Sequence, residues 1–65
     1  MLWIVTHWET VEQPSGAIQS IHLKSDDGVA VVLERPAVDG DIKKADIAAL
    51  AAAQYDLIID PNNID

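Results

Sequence analysis

Two histidines are the residues of this chain whose type and spacing come closest to a chemical site. His7 and His22 lie in two β-like runs, and the turn between these runs sets a register in which they face each other across neighbouring strands. Their β-carbons would lie about 4.5–5.5 Å apart, close enough for both imidazoles to bind one divalent metal, with Glu9 as a third ligand. Two facing imidazoles also repel each other once both are protonated, which gives a pH switch as a weaker alternative. Because a chance pairing of two neutral histidines is the simpler explanation, we predict no metal and no cofactor.

Pairs of aspartates invite a calcium interpretation. Asp26 and Asp27 precede Gly28, a triplet typical of a tight hairpin loop, whereas Asp39 and Asp41 precede a helical pattern that either of them could cap. A calcium loop needs more oxygen ligands at regular spacing, with a terminal glutamate. The carboxylates could also imitate the phosphates of a nucleic acid, but no motif supports that alternative. We therefore expect a turn and a cap in place of a calcium site.

The sequence lacks the residues and motifs that nucleophilic catalysis and nucleotide binding require. The chain has no cysteine and no glycine-rich phosphate loop, and its serines sit in or near predicted turns or on a polar strand face: Ser15, Ser20 and Ser25. A serine hydrolase also needs a base and an oxyanion hole on a rigid frame, which a chain of 65 residues can scarcely build. We expect a protein that is not an enzyme.

The charge balance excludes several partners. The chain has 11 acidic and 4 basic residues, a formal net charge of −7, so direct binding to nucleic acid or to an anionic membrane is not expected. The same charge attracts a basic protein over long range, although it also keeps a small apolar domain in solution. With 49% hydrophobic residues the chain should fold, as one small domain over 1–65. The lack of cysteine and of a signal or membrane segment favours a cytoplasmic location.

Three β-like runs predict an antiparallel meander. The runs cover 2–12, 17–25 and 29–35, with turn-forming clusters at 13–16 and 26–28. The register set by these turns pairs Trp8 with Ile21 and Thr6 with Leu23, and it places one set on the face that should carry the core: Leu2, Ile4, Thr6, Trp8, Ile21, Leu23, Val29, Val31 and Leu33. Thr6 is the one polar member of that set.

A helical pattern follows the meander. Residues 42–53 are rich in alanine without glycine or proline, so we predict a helix there, capped by Asp39 or Asp41. Residues 55–59 predict a short fourth strand that returns beside the first through a right-handed crossover, and 62–65 a frayed tail. The predicted class is therefore α+β, in the order β-β-β-α-β.

The second face of the sheet is the most informative feature. One helix covers only one face, so an apolar cluster with two nearby glutamates should stay exposed as a partner-binding surface: Trp3, Val5, Glu9, Val11, Ile18, Val32 and Glu34. Such a cluster indicates association with another protein, or a homodimer. We expect a small acidic protein-binding module, such as an inhibitor, an adaptor or an antitoxin-like regulator of the class that phages often carry. The alternative is a structural or assembly subunit without a regulatory target.

Overall fold

A computed structural model describes the whole chain, Met1–Asp65. Three strands, one α-helix and a 3₁₀ turn follow one another: β1 (Trp3–Gln13), β2 (Gly16–Ser25), β3 (Ala30–Pro36), α1 (Lys44–Tyr55) and the turn Pro61–Asn63. β-branched and aromatic residues are frequent in the strands and alanine in the helix, in keeping with their propensities. The strands form one antiparallel sheet in the order β1-β2-β3. The predicted meander followed by a helix, an α+β fold, is confirmed.

The two turns keep the register that their residues predict. The first loop has two residues, Pro14 and Ser15, where we expect four, but the pairing of the strands next to it is unchanged. In the second turn the Gly28 N–H donates to the Ser25 carbonyl at 3.0 Å. Gly28 has φ 88°, the left-handed conformation that the sequence predicts for it.

A β-bulge at Thr6 divides β1 into two parts with opposite faces. From His7 onward the pairing with β2 matches the predicted register. Before the bulge the register shifts, and Val5 lies opposite Leu23, in the place that the sequence predicts for Thr6. Because side chains alternate along a strand, a one-residue shift exchanges the faces of every earlier residue in β1.

The core lies between the sheet and α1. Eight buried apolar residues form it: Trp3, Ile21, Leu23, Leu33, Ile47, Ala51, Ile59 and Ile64. The sequence prediction is correct for the members of this core that lie in β2 and β3. It is wrong for Leu2, Ile4 and Thr6, which are exposed. The bulge turns Trp3 and Val5 toward the helix in the places predicted for Ile4 and Thr6.

Trp8 keeps its predicted position opposite Ile21 but lies outside the core. The helix packs on β3 and makes little contact with β1, so the Trp8 side chain remains 47% exposed. Val29, which precedes β3, is exposed as well. The burial predicted for Trp8 is wrong because one short helix cannot cover the full width of the sheet. The burial predicted for Val29 is wrong because this residue lies before β3, beyond the residues that pair with β2.

α1 begins without the cap that the sequence predicts and ends in a residue of left-handed conformation. Lys43 holds the N-cap position without a side-chain hydrogen bond, so neither Asp39 nor Asp41 caps the helix. At the other end Asp56 adopts φ 54°, and its N–H donates to two carbonyls of the last turn. α1 has 12 residues, and no helix of the chain is both long and apolar enough to cross a membrane.

The residues after α1 form no fourth strand. Tyr55, the first residue predicted for that strand, ends the helix. The chain still returns to β1, where Ile64 makes a single parallel bridge to Trp3 and the Asp65 N–H donates to the Trp3 carbonyl at 2.8 Å. Residues 62–65, for which we expect a frayed tail, are tied to the sheet in this way, and Ile64 is buried in the core.

Candidate binding surface

The sheet surface turned away from α1, here called the open face, is built from rows of residues paired across the three strands. Residues that pair directly share a face, so each row contributes its side chains together. The rows are Ile4–Lys24–Ala30, His7–His22–Val32, Glu9–Ser20–Glu34 and Val11–Ile18–Pro36. None of these residues is buried, so the rest of the chain leaves this face free.

Five of the residues predicted for partner binding lie together on the open face: Glu9, Val11, Ile18, Val32 and Glu34. Trp3 and Val5 do not, because the bulge turns both toward α1; Trp3 is only 3% exposed and Val5 packs half-buried against the core. Ile4, which the sequence assigns to the core, lies on the open face instead. The polar side chain of Thr6 within the predicted apolar set is the sequence signal for this exchange, since a polar group at a core position is costly.

Acidic and apolar residues adjoin on the open face. Glu9 and Glu34 flank Ser20 in one row, and Val11 and Ile18 lie in the next. The Glu9 carboxylate lies 3.6 Å from His7 Nε2, with both side chains more than half exposed, so water screens this contact. On a chain of net charge −7, the glutamate row adds negative potential directly beside an apolar strip.

The predicted pairing of His7 with His22 is confirmed. Their ring centroids lie 5.4 Å apart and the ring planes are tilted by 58°. No group of three or more histidine, cysteine, aspartate or glutamate residues is arranged to hold a metal ion. The two imidazole rings make an aromatic contact on the open face.

The outer edge of β3 is covered by side chains of the last turn of α1. The Tyr55 hydroxyl donates to the Val32 carbonyl at 2.7 Å and accepts from the Val32 N–H at 3.3 Å. The Gln54 side-chain amide accepts from the Glu34 N–H at 3.0 Å and donates to the Glu34 carbonyl. These two side chains take the place of a further strand and keep this edge from pairing with another chain. No sequence motif indicates this arrangement.

The outer edge of β1 has no such cover beyond its first residues. The tail reaches it only at Trp3, through Ile64 and Asp65. From the bulge to the first turn, no helix, strand or tail residue pairs with the outer side of this strand. The sheet therefore has one protected edge and one edge that is largely free.

A polar cluster lies on the α1 side of the sheet. Arg35 Nε donates to the Gln19 side-chain oxygen at 2.9 Å, and the Gln19 amide donates to the Val38 carbonyl at 3.4 Å. Arg35 Nη1 lies 3.8 Å from the Asp46 carboxylate, whereas Nη2 has no hydrogen-bond partner. These contacts tie the loop after β3 and the start of α1 to the sheet, which is a structural role.

Comparisons of the chain with protein-family models, with curated proteins and with solved structures find no match. The open face and the outer edge of β1 are the two surfaces of the sheet that the rest of the chain leaves uncovered.

Proposed function

We propose that this protein is a small non-catalytic binding module whose open face docks onto a basic surface of another protein. The observation that carries the proposal is an uncovered sheet face on which apolar residues lie beside carboxylates: Val11, Ile18 and Val32 beside Glu9 and Glu34. Covering a basic surface would make the module an inhibitor, an adaptor or an antitoxin-like regulator. A chain without cysteine is suited to a reducing cytoplasm, where we propose that it works.

Apolar burial should supply most of the binding free energy. Val11 and Val32 are 41% and 37% exposed, and each Å² of apolar surface that a partner covers contributes about 25 cal/mol. The carboxylates act at longer range, because opposite charges raise the association rate without adding equally to the final affinity. A basic partner with aliphatic or aromatic side chains at the centre of its patch fits this surface.

The arrangement of the titratable side chains supports binding over catalysis. His7 and Glu9 are more than half exposed on the side of a sheet. Catalytic groups are usually held in a concave site that removes water from them. The solvated His7–Glu9 pair suits a polar contact at the rim of an interface.

A matched pair of variants tests the proposal. Val32→Asp replaces an apolar side chain of the open face with a carboxylate, whereas Ile58→Asp places the same charge on a side chain between α1 and the 3₁₀ turn that is 84% exposed. Wild type and both variants are immobilised, exposed to a lysate of the source cells, and compared by mass spectrometry of the retained proteins. Far-ultraviolet circular dichroism first verifies that each variant is folded.

We expect one stoichiometric partner to be retained by wild type and by Ile58→Asp but lost from Val32→Asp. Raising salt from about 0.05 to 0.5 M should slow association with little change in dissociation, because screening acts on the long-range attraction. Equal retention by all three proteins would show that the open face is an ordinary surface.

A second candidate function, an assembly subunit that joins copies of itself, is favoured by one specific observation. That observation is the outer edge of β1, whose backbone is free to pair with another strand. The outer edge of β3, by contrast, is bonded to side chains of α1.

A further inference from the structure

We infer that two copies of this chain join along the outer edge of β1, pairing residues 7–13 antiparallel about a two-fold axis at Thr10. The two sheets then form one continuous sheet across the axis. This surface is a strand edge and not the open face, so the inference is independent of partner binding; it deepens the second candidate function, self-assembly, and rests on it.

The backbone of β1 presents free hydrogen-bonding groups along this edge. In β3 the backbone N–H and carbonyl groups of Val32 and Glu34 point outward and bond to side chains of α1. In an antiparallel sheet the backbone groups of successive residues point alternately to the two sides of a strand, so the β2 residues paired with Val32 and Glu34 direct their groups toward β1. By the same pattern, the backbone groups of Glu9 and Val11 in β1 point inward, toward β2. The residues whose N–H and carbonyl groups point outward are therefore Trp8, Thr10 and Glu12. No hydrogen bond reaches these groups from elsewhere in the chain.

The chain covers its other sheet edge but leaves this one available. Gln54 and Tyr55 bond to β3, and Asp65 bonds to the start of β1. Residues 7–13 contain no lysine, proline or bulge, three devices that commonly prevent edge pairing, and the register given below places neither of their glutamates opposite a glutamate of the second copy. Their exposed backbone is a template for another strand.

The limits of the free edge determine the register. The bulge at Thr6 interrupts the regular strand at one end, and Pro14, which has no N–H to donate, ends it at the other. Residue 10 is the midpoint between these limits, so an antiparallel copy overlaps the whole stretch only when Thr10 meets Thr10 of the second copy. The other pairs are then Trp8 with Glu12, Glu9 with Val11, and His7 with Gln13.

Side-chain chemistry favours this register over its neighbours. Facing threonines can hydrogen-bond across the axis, and no two like charges lie directly opposite each other. An axis at Glu9 would oppose two glutamates, which is destabilising, and an axis at Val11 would shorten the overlap. A two-fold axis at Thr10 therefore gives the best match between the β1 edges of the two copies.

A second copy also provides cover that the small core lacks. The monomer buries only eight apolar core residues, and Trp8 is 47% exposed on the α1 side of β1. A two-fold axis between antiparallel strands keeps both helices on the same side of the joined sheet, so Trp8 of each copy gains a neighbouring strand where it now meets water. Domains of this size commonly gain stability by oligomerisation.

The net charge gives this association a salt dependence opposite to that of partner binding. Each copy carries a charge of −7, so two copies repel and added salt screens the repulsion. Salt should therefore tighten the dimer, whereas it weakens association with a basic protein.

Cysteine cross-linking tests the pairing and its register, because the chain has no cysteine of its own. In Thr10→Cys the introduced side chains face each other with Cα atoms about 5.5 Å apart, within disulfide range. Ser15→Cys, in the exposed first turn, is the control. Under mild oxidation at micromolar protein concentration, Thr10→Cys should form a covalent dimer at least about tenfold faster than Ser15→Cys.

Sedimentation equilibrium measures the association without a cross-link. We expect wild type to dimerise more tightly in about 0.5 M than in about 0.05 M salt. Thr10→Lys should weaken the dimer at least about tenfold, because it opposes two cations at the axis, while Ser15→Lys, with the same change in charge, should match wild type. Circular dichroism verifies that both lysine variants keep the fold.

Equal cross-linking rates, equal dimerisation of wild type and Thr10→Lys, or a wild type that stays monomeric at both salt concentrations would overturn the inference. A dimer lost in Val32→Asp but kept in Thr10→Lys would also overturn it, since the open face would then be the contact. If Thr10→Lys is monomeric but still retains the cellular partner, partner binding does not require the dimer.

Discussion

Replacing Trp3 with alanine should remove most of the stability of this fold, because the bulge at Thr6 turns the indole into the core. Trp3 is 3% exposed, and truncating a buried tryptophan to alanine costs about 3–5 kcal/mol through lost burial and the cavity that remains. A chain of 65 residues has a total stability of about 3–10 kcal/mol at roughly 0.05–0.15 kcal/mol per residue. Trp8→Ala is the matched control, and it should cost about 1 kcal/mol because Trp8 is 47% exposed.

Urea unfolding followed by circular dichroism measures both costs, at a protein concentration low enough to keep the chain monomeric. Acrylamide quenching of fluorescence gives an independent measure of exposure, because each single-tryptophan variant reports on one indole. Trp3 should be shielded in Trp8→Phe, and Trp8 should be accessible in Trp3→Phe. If Trp8→Ala costs as much as Trp3→Ala, or if both indoles are quenched equally, the bulge does not set the faces of β1 as described.

Three further substitutions test separate parts of the fold by urea unfolding. Gly28→Val should destabilise the chain by more than about 1 kcal/mol, because valine is strained at the positive φ of the second turn; a cost below about 0.3 kcal/mol would contradict that turn. Gln54→Ala should cost about 1 kcal/mol through its lost bonds to Glu34 and should increase light scattering from aggregation, since it uncovers the edge of β3; unchanged stability and scattering would argue against this cover. Asp56→Gly should stabilise the chain by about 1 kcal/mol, because glycine adopts the left-handed conformation without strain and removes a negative charge from the helix C-terminus; a loss of stability would contradict this C-terminal geometry.

The strands and turns were accessible from the sequence because their signals are local. Asp26, Asp27 and Gly28 specify one turn, Pro14 and Ser15 occupy the other, and these turns fix the pairing of β2 with both neighbours. The pairing of the two histidines followed from the same register.

The sequence does not predict the bulge, because an inserted residue has no strong local signature. Thr6 at a supposed core position was the only warning, and the consequence was large, since Trp3 exchanged the open face for the core. The exchange concerns tertiary packing, because the indole joins the buried core with Leu23, Ile59 and Ile64 in the place that an unbroken register gives to Ile4.

The end of the chain differs from the sequence prediction for another reason. The apolar run after α1 predicted a strand, but Ile59 and Ile64 bury their side chains from irregular backbone, and Tyr55 stays in the helix to bond to β3. Hydrogen bonds from helix side chains to a strand edge form only once the helix packs beside that strand, so a single sequence gives no local signal for them.

Mapping a bound partner on the isotope-labelled protein by nuclear magnetic resonance tests the central claim most directly. The partner retained by wild type is titrated into the ¹⁵N-labelled chain, and the shift of each backbone amide is followed. Binding to the open face predicts the largest shifts at Glu9, Ser20 and Val32, with the exposed helix residues Ala49 and Ala53 unchanged. Shifts confined to α1, with the open face unaffected, would contradict the claim.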